Sequence, residues 1–208
     1  MTDEKHQDSD DERRLRDLED RRKLHAEVNQ LLNHRFLLTT LAITVFGVFS
    51  SWMIPRNPSH RDQAALSKLL FAGAVFLHLF LLLLFLWNRF LANLQSNVSI
   101  YLVLTKASKW EADWKKVQSM KGIRSTAQIQ TTVFLALGIF TLLWPFVISM
   151  ACDLPLKCGW VLFEVIVAVI YPILVWGFGI KQWKRDEDQI EAQWRKVLES
   201  SAPDKPSV

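Results

Sequence analysis

The chain has 208 residues, half of them hydrophobic and 22% charged, with a formal net charge of +4. That balance does not decide the class by itself, but the basic surplus is too diluted by acidic neighbours to make a nucleic-acid surface. The first 35 residues are crowded with charge and contain no apolar core of a cleavable signal peptide, so the first apolar segment doubles as the targeting signal.

The predicted elements follow in chain order. Residues 1–10 are acidic and polar and read as a disordered tail. Residues 11–35 form a charged cytoplasmic helix that runs into the first span. Opposite charges four apart, Glu12 with Arg16, Asp17 with Arg21 and Glu19 with Lys23, each support an exposed helix by a few tenths of a kcal/mol. Val28, Leu31 and Leu32 carry the pattern onward without Pro or Gly.

Four windows are almost free of charge: 36–54, 69–87, 131–150 and 159–180. A helix rising about 1.5 Å per residue needs about 20 apolar residues to cross a hydrocarbon core. Membrane strands would need only about ten residues and would alternate apolar with polar, which these windows do not. The fold class is therefore all-α, a polytopic membrane protein with four transmembrane helices.

Between the second and third spans, residues 88–130 carry an apolar stripe at helical spacing: Val103, Ala107, Trp110, Trp114, Val117 and Met120. Residues 181–200 repeat the arrangement with Ile190, Trp194, Val197 and Leu198. Residues 201–208, with Pro203 and Pro206, read as a disordered end. One reading packs the two stripes on each other as a cytoplasmic helical bundle. The other makes Trp110, Trp114, Val117, Ile190, Trp194 and Val197 an interface for a partner or a second copy. Lys115, Lys116, Lys121 and Arg124, just before the third span, are placed to meet anionic lipid headgroups.

Lys and Arg number eight in 1–35, three in 55–68, seven in 88–130, one in 151–158 and six from residue 181 onward. The positive-inside rule places the first, third and last of these in the cytoplasm, as expected of a multi-pass plasma (inner) membrane protein with both termini inside. Trp52, Trp144 and Trp160 fall at the outer ends of spans and Trp87, Trp176 and Trp183 at the inner ends, as an aromatic belt requires.

The two halves also resemble one another. Thr39-Thr40 and Trp52 are separated by the same eleven residues as Thr131-Thr132 and Trp144. Leu86-Trp87 matches Val175-Trp176, and Trp110-Glu-Ala-Asp-Trp-Lys-Lys-Val117 matches Ile190-Glu-Ala-Gln-Trp-Arg-Lys-Val197. These matches predict two parallel hairpin repeats, each followed by a Trp-bearing helix.

Few residues carry chemistry. Glu164 lies about five residues into the fourth span, where an ionised carboxylate is costly unless it faces a bundle interior or water. It either lines an ion or proton route, or reaches interfacial water or hydrogen-bonds as the neutral acid. His78 sits mid-depth in the second span as a neutral interhelical hydrogen-bond partner or a proton relay. Rise per residue puts it about 10 Å deeper than Glu164, so no direct pair is expected unless Pro145 or Pro172 kinks a helix. The four threonines of the repeat read as bonding to their own helix backbones. Cys152 and Cys158 are spaced to close a small disulfide on an oxidising side.

Nucleotide-binding, hydrolase and metalloprotease motifs are missing, so neither an enzyme nor a cofactor or metal is expected. The function expected is a small membrane component that forms a homo-oligomer in lipid and engages a cytoplasmic protein partner, as anchor, sensor or effector. Bacterial defence or stress systems use such effectors, by analogy alone. The alternative is an oligomeric pore or ion pathway lined by Glu164 and His78.

Overall fold

The computed structural model describes residues 2–53, 63–105, 126–156 and 159–200, and for 2–14, 16, 17, 127, 160 and 180–184 the backbone alone. The described residues form five helices: α1 (Thr2–Trp52), α2 (Gln63–Leu104), α3 (Thr126–Ala151), α4 (Gly159–Trp176) and α5 (Gln182–Ser200), with a π-helical turn, Gly177–Lys181, joining the last two. Helix is the form an apolar chain must take in lipid, because it satisfies every interior backbone donor and acceptor within one segment.

Four of the helices are long and apolar enough to cross a membrane, so the protein is membrane-embedded and multi-pass. Element ends differ from the sequence expectation by several residues. The first apolar window closes at Trp52, α2 starts at Gln63 and α3 at Thr126. The helix also begins at Thr2, inside the acidic stretch 1–10. α2 continues past its apolar window to Leu104 without a break.

The chain divides into two compact units, the first made of residues 35–90 and 124–185 and holding the apolar stretches of all four helices. Within it, Arg35 near the start of that stretch of α1 meets Asn88 late in α2 and Gln130 early in α3. Trp144, late in α3, donates its indole N–H to the Ser50 carbonyl late in α1 at 3.1 Å. α1 and α3 therefore run one way, and α2 and α4 the other.

The main apolar core is centred on Leu77, Leu81, Phe85, Phe134, Tyr171 and Val175, with Ala42 the contribution of α1. A smaller cluster of Leu70, Ile148 and Leu154 closes the end nearer Ser50. Outward-facing residues such as Phe76, Leu83, Phe140, Leu162 and Ile173 are exposed, as a lipid-facing surface requires.

Close helix approach depends on two glycines. A Cβ on Gly138 would lie 2.2 Å from Cε1 of Tyr171, so the α4 ring lies directly on the α3 backbone. A Cβ on Gly179 would lie 2.5 Å from the Thr131 methyl, which places the π turn against α3 in the same way.

The second unit comprises residues 1–34, 91–123 and 186–208. Its α1 and α5 segments are charged and mostly exposed, with ion pairs Glu19–Lys23 at 3.0 Å and Glu191–Arg195 at 2.7 Å, while its α2 segment is largely apolar and covered. Ile100 and Leu102 are buried, and the Tyr101 and Trp194 rings lie 4.8 Å apart.

Some residues matched by the sequence repeat share their surroundings, as the exposed Trp87 and Trp176 do, and others differ. Trp52 is 79% exposed whereas Trp144 is half-buried and hydrogen-bonded; Leu86 is exposed whereas Val175 is fully buried. Thr39 and Thr132 bond back to the carbonyls four residues earlier, as expected, while Thr131 is buried against the π turn.

The glycine contacts predict a contrast. Gly138→Ala forces the Tyr171 ring off α3 and costs about 1–3 kcal/mol, while Gly47→Ala, which meets nothing within 4 Å, is neutral or slightly stabilising. Thermal unfolding in detergent, followed by circular dichroism, separates the two; equal midpoints would reject the close α3–α4 approach.

Candidate functional site at membrane depth

Apolar packing alone would leave the four helices free to slide, since lipid tails compete equally well for leucine and phenylalanine. Polar contacts inside the membrane unit remove that freedom at three levels. At one end Arg35, only 2% exposed, donates from Nη2 to Gln130 Oε1 at 2.6 Å and from Nε to Asn88 Oδ1 at 3.3 Å. At the other end the Trp144–Ser50 bond joins α3 to α1, and Ser67 Oγ donates to the Pro155 carbonyl at 2.6 Å.

The middle level holds the candidate site. His78 Nδ1 lies 3.1 Å from Glu164 Oε1, with the two side chains 1% and 0% exposed. Nδ1 is also 3.2 Å from the Ala74 carbonyl oxygen, and Nε2 is 3.1 Å from the Gly138 carbonyl oxygen of α3. The Tyr171 ring stands edge-on to the imidazole, centroids 5.3 Å apart, while its hydroxyl donates to the Phe134 carbonyl at 2.8 Å. Three helices thus meet on one imidazole.

This corrects the expectation that depth keeps His78 and Glu164 apart. That expectation took the apolar windows to begin level, and they do not. The Ser67–Pro155 bond sets α2 against the start of α4. From that pin His78 lies about 16 Å along α2; Glu164, nine residues beyond Pro155, reaches the same level, and its side chain spans the remainder. The burial of Glu164 also removes the alternative in which its carboxylate reaches interfacial water.

The contact is close but not aligned as a hydrogen bond: neither Glu164 oxygen accepts one from a described residue. The pair is held by proximity and by enclosure. Taking an ionised carboxylate into such surroundings costs several kcal/mol unless a counter-charge or a proton accompanies it. No group of three metal-binding side chains occurs among the described residues.

No family model, no curated protein and no solved structure matches the chain. The site must be understood from its own residues.

Other sequence-derived candidates are distributed elsewhere. Trp110, Trp114, Val117, Lys115, Lys116, Lys121 and Arg124 lie outside the described residues, as does Cys158. Cys152 is half-buried with a free thiol among the described residues. Ile190 and Trp194 are half-buried and Val197 is 50% exposed, on α5 in the second unit. Sequence reasoning missed Arg35, Asn88 and Gln130 as a set, and missed Gly138 and Tyr171. The available signal was positional: each of the three polar residues borders an apolar window at the same end of the unit.

A direct pair predicts strong coupling between substitutions. His78→Leu or Glu164→Leu alone strands a buried polar partner and costs on the order of 2–4 kcal/mol, while the double variant recovers most of it. Unfolding midpoints of the four-member cycle in detergent measure the coupling, and additive losses would mean that the two residues act separately.

Proposed function

We propose that the chain is a small multi-span membrane component whose membrane unit holds it in the bilayer while its polar helical unit engages a cytoplasmic partner or a second copy, as anchor, sensor or effector. The observation that carries this reading is the apolar edge on otherwise polar helices. Trp194 packs on Tyr101 at 4.8 Å, yet Val197 one turn further along remains half-exposed. An apolar edge of this kind on a charged helix, half-exposed among the described residues, favours further helix packing. The excess of Lys and Arg in residues 1–35, 88–130 and 181–208 supports a cytoplasmic side for this unit, by the positive-inside rule.

Under this reading Trp194→Ala and Trp114→Ala reduce the oligomeric mass of the purified protein, or release a defined cytoplasmic partner, without impairing membrane insertion. Light scattering in detergent reads the mass. Unchanged mass and unchanged partners in both variants would reject the proposal.

A second reading, an ion pathway, is favoured by one specific observation: a fully buried carboxylate at membrane depth beside an imidazole. Because the pair is enclosed by the helices of one chain, such a pathway runs through the membrane unit and not along an axis between copies. It predicts current across planar bilayers that changes with Glu164→Gln, and silence across voltage and pH would eliminate it.

A further inference from the structure

The apolar stretches 36–52, 69–87, 131–150 and 159–176 contain three titratable side chains, namely His78, Glu164 and Tyr171. All three meet in one place, although they come from different helices and no sequence motif links them. From α1 and α3 the surrounding core includes Ala42 and Phe134, and the Gly138 carbonyl faces Nε2; neither helix brings a titratable side chain from its apolar stretch. The site therefore has no other charge to balance it among the described residues.

The hydrogen-bond chemistry of the imidazole decides its proton count. Nε2 faces the Gly138 carbonyl, which accepts and cannot donate, so Nε2 carries a hydrogen. Nδ1 faces the Ala74 carbonyl and Glu164 Oε1. If the carboxylate is ionised, Nδ1 must also carry a hydrogen, and the ring is an imidazolium. If the carboxyl is protonated, the ring is neutral and the proton sits on the Glu164 side. Both arrangements hold the same number of protons and the same net charge of zero. They differ only in which side of the 3.1 Å gap the proton occupies.

Removing that proton would set the Nδ1 lone pair against carboxylate and carbonyl lone pairs, with a net negative charge in an apolar enclosure. The Tyr171 hydroxyl offers no relief, because it is committed to the Phe134 carbonyl. We propose that His78 and Glu164, covered by Tyr171, form a proton-binding site that holds one exchangeable proton, either on Nδ1 or on the carboxyl group. The proton leaves only when α4 separates from α2 and water enters. This does not rest on the ion-pathway reading, since a bundle that binds the proton and passes no current satisfies it.

The test replaces His6, His25, His34 and His60 with Gln, all outside the apolar stretches, leaving His78 as the single histidine. Nitrogen-15 solid-state NMR of this protein in lipid vesicles then reports both ring nitrogens, and infrared spectroscopy reports the carboxyl. Between about pH 5 and 8, where free imidazole titrates, the expected spectrum is invariant. It shows either a doubly protonated ring with an ionised carboxylate, or an Nε2–H ring with a protonated carboxyl band that Glu164→Gln abolishes. In the Glu164→Gln protein the ring becomes neutral with Nδ1 unprotonated, and one proton fewer per chain is released on alkaline unfolding. A neutral ring beside an ionised carboxylate at pH 7 would overturn the proposal. So would an imidazole that titrates like a free one, or a spectrum that shifts with sodium at constant pH. If Glu164→Gln fails to fold, the invariance of the single-histidine protein still decides the matter.

Discussion

An imidazole and a carboxyl group enclosed among four apolar helices can find partners only within the chain; lipid offers none. That constraint governs how the membrane unit is built. His78 takes α3 through the Gly138 carbonyl and approaches α4 through Glu164, so the relative heights of three helices are set at one point. In water the same residues would find solvent partners and the helices would be held mainly by burial of apolar area. In a bilayer apolar burial between helices is nearly balanced by contact with lipid, and directional polar contacts gain importance.

The remaining architecture extends the same logic. Arg35, Asn88 and Gln130 close one end of the unit, and Trp144, Ser50, Ser67 and Pro155 fix the other. Between these levels, phenylalanine and leucine fill the interior in contacts such as Phe85 on Phe134 and Phe71 on Phe146. Gly138 has a double part: without a side chain it admits the Tyr171 ring, and with its carbonyl it receives the His78 ring. Closeness of α3 to α4 and the polar bond from α2 to α3 therefore depend on the same residue.

The all-helical, four-span organisation was legible because its signal is long and compositional: about 20 uncharged, apolar residues in a row match the thickness of a bilayer and little else. His78 and Glu164 stood out as ionisable groups in apolar text. Their contact was not legible, since it depends on the Ser67–Pro155 register, and a serine beside a turn carries no recognisable signature. Tyr171 was hidden for a different reason: an aromatic residue in a membrane helix reads as filler until its neighbours are known. The π turn at Gly177–Lys181 was equally silent, because Gly179 acquires meaning only through the Thr131 and Phe85 side chains it approaches. The sequence repeat does not carry burial from one half to the other at every position. Matching letters such as Leu86 and Val175 belong to a lipid-facing surface in one half and to the core in the other.

The polar ties also bear on biosynthesis. Arg35 finds Asn88 and Gln130 only 53 and 95 residues later in the chain, Ser67 finds Pro155 after 88, and His78 finds Gly138 after 60. A ribosome therefore delivers the first hairpin to the membrane well before the groups that satisfy it exist. Until α3 emerges, His78 has its own helix carbonyl at Ala74 as its neighbour, and the α1–α2 pair is an incomplete object in hydrocarbon. The nascent hairpin must be sheltered by the insertion machinery or held at the interface until the second half arrives, and separately expressed halves would have to find each other before either was at rest.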